Sequence, residues 1–210
     1  MSTRRAAVVA TVFAVCVALV GAVTVTVRRD REWCHGGDRV STTVRTRIAA
    51  DDVAGAAAVV ALGGPPGRVY GLPARTGMVV VRVTWNGPRQ SGGSRYELVA
   101  LDKRVTPAQP LRVLDGWNAD GGTGSNWAGA YQTLAEHYPW LAGTAEVQDA
   151  SGGWASQAEA VDARATATGT VTAAFLLGDD REFTPDSDLL LALFLVDRQG
   201  EVRWAKRVYG

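Results

Sequence analysis

Residues 164–177 read RATATGTVTAAFLL. Ala165, Ala167, Gly169, Val171, Ala173, Phe175 and Leu177 alternate with Arg164, Thr166, Thr168, Thr170 and Thr172. A period of two predicts a β-strand with one apolar and one polar face. Fourteen residues is long for one strand, so Gly169 is expected to mark a bulge or bend. A little further on, Leu189–Val196 (LLLALFLV) is apolar throughout, as expected of a strand covered on both faces. Asp197-Arg198-Gln199-Gly200 turns the chain, and Val202, Trp204 and Val208 define the apolar face of a last strand.

Upstream, the same period recurs. Val79, Val81, Val83 and Trp85 alternate with Arg82 and Thr84, and Tyr96, Leu98 and Ala100 alternate with Arg95, Glu97 and Val99. The Gly- and Pro-containing loop between them predicts a hairpin. Val40, Thr42, Val44, Thr46 and Ile48 alternate with Arg39, Ser41, Thr43, Arg45 and Arg47, giving a strand with one wet face. Asp51–Leu62 (DDVAGAAAVVAL) predicts a short helix capped by Asp and ended by the GGPPG at 63–67.

The segment from Trp117 to Trp154 has a different period. Trp127, Tyr131, Leu134, Tyr138 and Leu141 are spaced by 4, 3, 4 and 3, the spacing of an amphipathic helix face. Ser125 or Asn126 is placed to cap it, and Pro139 to stop or kink it. There is no internal repeat. About six strands, mostly joined locally, with one or two helices predict an α+β domain built on a mainly antiparallel sheet; an all-β sandwich is the alternative.

Residues 6–27, AAVVATVFAVCVALVGAVTVTV, carry no charge and lie between Arg4-Arg5 and Arg28, Arg29 and Arg31. At ~1.5 Å per residue they form a helix of roughly 33 Å, enough to cross a hydrocarbon core of ~30 Å. The chain therefore divides into a short N-terminal flank (1–5), a transmembrane anchor in contact with membrane lipid (6–27), a juxtamembrane linker (28–38) and a single soluble domain (39–210). The arrangement adopted has the N-terminus inside and the domain outside the cell. Cleavage of the span as a signal peptide, which would secrete the domain, is the alternative. Twenty of the 22 basic residues are Arg, and Ala, Val and Gly abound, a bias associated with high-GC bacterial genomes. The location expected is the bacterial cell envelope.

Without the charges that flank the span, the remainder has a formal net charge near −2 and no run of Lys or Arg. Nucleic acid is not an expected partner. Cys16 lies in the span and Cys34 just beyond it, so no cysteine-based zinc site or disulfide framework is available to the domain. Cys34, beside His35, is a candidate reactive thiol and, outside the cytosol, the means to join two chains in a disulfide dimer. The histidines are His35 and His137. No G-x-S-x-G motif accompanies them. Gly121–Asn126 (GGTGSN) lacks the Lys of a phosphate-binding loop, and Gly116 and Trp127 stand where a calcium loop needs Asp and Glu. The clustered acids Asp179-Asp180 and Asp186/Asp188 read as solvated loop residues. No cofactor, metal or catalytic residue is expected, and an enzyme is the least favoured class. The remaining signal is aromatic. Trp117, Trp140 and Trp154 lie off the helix stripe and are the candidate contacts for a glycan, peptide or envelope-protein partner.

Overall fold

The computed structural model describes residues 36–66, 71–73, 76–90, 92–118, 124–126, 138–144, 147–148, 154–155, 159–177 and 182–210. The span at 6–27, Cys34, both histidines and residues 127–137 of the expected aromatic helix lie outside them. Among the described residues, no helix is long and apolar enough to cross a membrane.

A 3-10 turn, Gly36–Arg39, leads into β1 (Ser41–Ala49), α1 (Asp52–Ala61), β2 (Gly77–Asn86), β3 (Arg95–Asp102), β4 (Gln109–Pro110), β5 (Val113–Asn118) and β6 (Gly124–Asn126). A second 3-10 helix, Pro139–Thr144, precedes β7 (Val147–Gln148), β8 (Trp154–Ala155), β9 (Glu159–Arg164), β10 (Thr168–Leu177), the single-turn α2 (Pro185–Asp188), β11 (Leu189–Val196) and β12 (Val202–Tyr209). The molecule is sheet-rich and its strands pair antiparallel. One sheet has the order β1-β2-β10-β5 and the other β12-β11-β3-β9-β6, with β4 beside β3. Strands β7 and β8 form a separate ribbon.

The sheets face each other. Val79, Val81, Val83, Val171, Ala173 and Phe175 of the first pack with Leu98, Ala100, Leu189, Leu191 and Leu193 of the second in one buried cluster. Each sheet is covered again on its outer face. Ala58 and Val59 of α1, with its C-cap residue Leu62, lie over Met78, Val80, Ala174 and Trp117. Leu141, with Tyr138 and Trp140, lies over Val99, Leu101, Ala192 and Phe194. This layering explains why β11 is buried along its whole length. Its odd-numbered residues face the other sheet, and its even-numbered ones face the 138–141 segment.

Helix α1 forms as its sequence predicts. The Asp51 carboxylate accepts from the Ala54 N–H at 2.7 Å. Past the other end, Gly63 takes φ +82° and its N–H donates to Val60 O, while the Gly64 N–H donates to Val59 O. This pair of bonds closes the last turn, and it needs a left-handed residue at Gly63. The Arg82 guanidinium, reaching from β2, donates to Leu62 O and sets a cation at the helix C-terminus.

Several expectations change. Strands β2 and β3 make no hairpin. Strand β2 is paired on both edges, by β1 and β10, and β3 by β11 and β9, so the loop at 87–94 carries the chain from one sheet to the other. The 164–177 segment is not one strand: Arg164 ends β9 in one sheet, Ala165–Ala167 crosses over, and β10 begins at Thr168 in the other. There the Ala165 N–H donates to Ser94 O, and the Gly87 N–H donates to Ala167 O. Gly169 is in regular register opposite Trp85. It is glycine because the Trp85 indole lies over it, where a Cβ would sit 2.1 Å from the ring. The irregularity of β10 comes at Ala174/Phe175, against β5. A further bulge skips Arg203 between Trp204 and Val202, so Trp204 faces the inter-sheet core while Val202 faces the opposite side. Ser125 and Asn126 pair with β9 in a strand, and the helix they were expected to cap lies outside the described residues. Residues 36–38, assigned to the linker, belong to the fold, because Gly36 and Gly37 pack on Trp204 and Lys206.

Candidate functional site

The described aromatic candidates do not converge. Trp117 is buried on the outer face of the first sheet, under α1. Trp140 is half-buried over the outer face of the second sheet, its ring 5.7 Å from Tyr138. The two are separated by both sheets. Trp154 pairs through its backbone with Gln148. Cys34 lies outside the described residues. Of the clustered acids, Asp188 accepts from the Thr184 N–H and the Ser187 hydroxyl, both at 2.8 Å, and these two bonds hold its carboxyl below the usual range. Asp186 accepts from the Tyr209 hydroxyl. Asp188 thus closes a local turn, whereas Asp186 ties that turn to β12. Among the described residues, no group of His, Cys, Asp and Glu is arranged to hold a metal ion.

What the fold does assemble lies at one end of the sandwich, where the 36–39 turn, the 87–94 loop, the 165–167 crossing and the 197–200 turn meet. A cleft of about 450 Å³ is lined there by Arg39, Gln90, Arg198, Arg203 and Trp204 among others. A second hollow of about 780 Å³ shares Gln90 and adds Arg89, Arg95 and Arg164. Six arginines line the two hollows together with one acidic residue, Asp197; of these, Arg203 is paired with Asp197 and Arg95 with Glu97.

Asp197 is buried, and its bonds organise the turn. Its carboxylate accepts from the Gln199 and Glu201 N–H groups, both at 2.9 Å, and from Arg203 Nε at 2.8 Å. Arg203 Nη2 approaches the same oxygen at 2.5 Å. The bulge at Arg203 is what brings this side chain back onto the turn. Arg95 is paired with Glu97 at 2.7 Å and lies 3.8 Å from Asp162. Arg198 donates to Gly92 O at 3.2 Å and so ties the two hollows together.

Beneath the cleft lies an aromatic row. Tyr96 stands edge-on to Trp85 at 5.2 Å and tilted against Trp204 at 5.7 Å. Trp85 Nε1 donates to Thr166 O at 3.0 Å, and the Trp204 indole supports Gly36. The Tyr96 hydroxyl is buried and has no hydrogen-bond partner among the described residues. Burial pushes it up in pKa, and the Gln90 side chain opposes this from close by without reaching hydrogen-bonding geometry.

Sequence reading missed this site because its residues come from separate segments. No run of Lys or Arg marks it; the charge gathers only when the sheets stack. The signal present in the sequence was the 197–200 turn, read correctly as a turn and not as a binding element. The chain matches no protein-family model and no curated protein.

Proposed function

We propose that this chain is a single-pass membrane protein of the bacterial cell envelope. Residues 6–27 are its transmembrane helix, and its extracytoplasmic domain is a non-catalytic interaction or accessory module. In this reading the domain is an α+β unit, its antiparallel sheets packed with α1 on one outer face. The supporting observation is the arginine-lined end of the sandwich. Loops and turns carried on a rigid two-sheet frame are where binding residues concentrate, and a concave surface with converging polar groups over an apolar floor is the form of a ligand site.

The test is labelling of Cys34 in intact cells with a membrane-impermeant thiol reagent, with Cys34→Ser as control. The expected outcome is labelling before lysis. Labelling only after lysis would place the domain in the cytosol and overturn the reading; labelling only after reduction would point to a disulfide partner. A glycan or peptide module using the Trp-rich segment is the second reading, and the half-buried Trp140–Tyr138 pair favours it. Unchanged Trp emission and no calorimetric heat with cell-wall fragments would remove it.

A further inference from the structure

We infer that the arginine-lined cleft binds the phosphodiester headgroup of an anionic phospholipid in the membrane that anchors the chain. The inference rests on the anchored reading above and adds to it a ligand and a site. Its first support is composition. Six arginines line the two hollows; Arg203 is held by Asp197 and Arg95 by Glu97, which leaves Arg39, Arg89 and Arg198 as the cations that the cleft offers to a ligand. Among the described residues, Arg39 and Arg89 form no ion pair, and Arg198 bonds only a backbone carbonyl. A guanidinium presents a planar fork of donors that matches phosphate oxygens two at a time.

The second support is position. Gly36 lines the cleft and lies against Trp204. Eight residues, 28–35, separate it from the end of the apolar run, and fully extended they reach at most about 28 Å. The cleft is thus built where the chain enters the domain, within a short tether of the bilayer. Basic groups this close to a membrane are drawn to anionic lipid. The third support is the floor. Leu195 and Trp204, core residues with only a small exposed area, close the bottom of the cleft, an apolar contact for the glycerol of a lipid, which a free anion lacks.

The full chain, purified in a non-ionic detergent, is titrated calorimetrically with dihexanoylphosphatidylglycerol, dihexanoylphosphatidylcholine and inorganic phosphate. Saturable binding of the glycerol lipid is expected, with at least tenfold weaker binding of the other two. Arg39→Ala with Arg198→Ala should weaken it about tenfold or more, since hydrogen bonds to charged groups are each of that order. Both side chains are exposed, so an unchanged circular dichroism spectrum shows that the variant is folded. Arg112→Ala with Arg207→Ala removes two exposed charges from the opposite end and should leave binding unchanged. Equal binding of both lipids, equal binding of phosphate, or equal loss in the two double variants overturns the inference. Sodium carbonate washing of membranes tests the anchor separately. Release of the chain overturns the anchor, and with it the placement of the lipid. A chain that stays in the pellet while the titration is flat overturns the cleft alone.

Discussion

Burial by itself would push the Asp197 carboxyl up, but the N–H of Glu201, the Arg203 guanidinium and the N–H of Gln199 together outweigh it and hold the group below the usual carboxylate range. A depressed carboxylate adds stability above its unfolded pKa of about 3.9 and loses that contribution as pH falls through the folded value. Asp197→Asn should therefore be less stable than the parent at pH 7, and the gap should close below about pH 4; urea unfolding at a series of pH values measures it. Tyr96 is the opposite case. A hydroxyl buried without a partner costs about 1–3 kcal/mol, so Tyr96→Phe should raise the urea midpoint. A lowered midpoint would mean that the hydroxyl has a partner in solution. Asp197 was legible in the sequence as a turn residue, whereas its bond to Arg203 was not. That bond depends on a bulge, which no period of two encodes. Gly169 was legible as special, but for the wrong reason, since the residue that demands glycine is Trp85 on a neighbouring strand.

At the scale of elements, α1 is the best case for local reading. Its cap, its length and its glycine stop all follow from short-range chemistry, and Asp51→Ala should cost about 1 kcal/mol in denaturant unfolding. Elements that depend on partners were less legible. Alternation placed Val79, Val81, Val83 and Trp85 on one face correctly, yet it is silent on which strand lies alongside, so the expected hairpin of β2 and β3 dissolved into two sheets. The pairing of β10 with β2 has its own test. Gly169→Ala forces a Cβ into the Trp85 indole and should cost about 1–3 kcal/mol by overpacking. Combining it with Trp85→Leu should cost less than the sum of the two single changes, because the clash is removed; simple additivity in thermal unfolding would show that the strands separate there by another route.

For the whole molecule, the layers follow from the distribution of apolar residues. Phe194 is buried on the outer side of the second sheet, beneath the 138–141 segment, and Phe194→Ala should cost about 3–5 kcal/mol in chemical denaturation. The eight apolar residues of β11 announced that both faces would be covered, but nothing local said by what. The arginine-lined end is the extreme case, a charge cluster drawn from turns and strand ends far apart in a chain whose net charge is only +1. The stacking of the sheets also leaves strands with an open side. Among the described residues, β1 has a single hydrogen-bonding neighbour, as does β12, and the two run near each other along one flank. Arg45 and Arg47 stand exposed on β1, and Arg207 on β12. Two unpaired backbone edges on one flank are a template for strand addition by another copy, and like charge is a common guard against it. The colloidal behaviour of the protein should accordingly follow ionic strength. Repulsion between copies fades as salt shortens its range, and Arg45→Thr with Arg47→Thr should bring the onset of light scattering down to salt concentrations at which the parent stays dispersed.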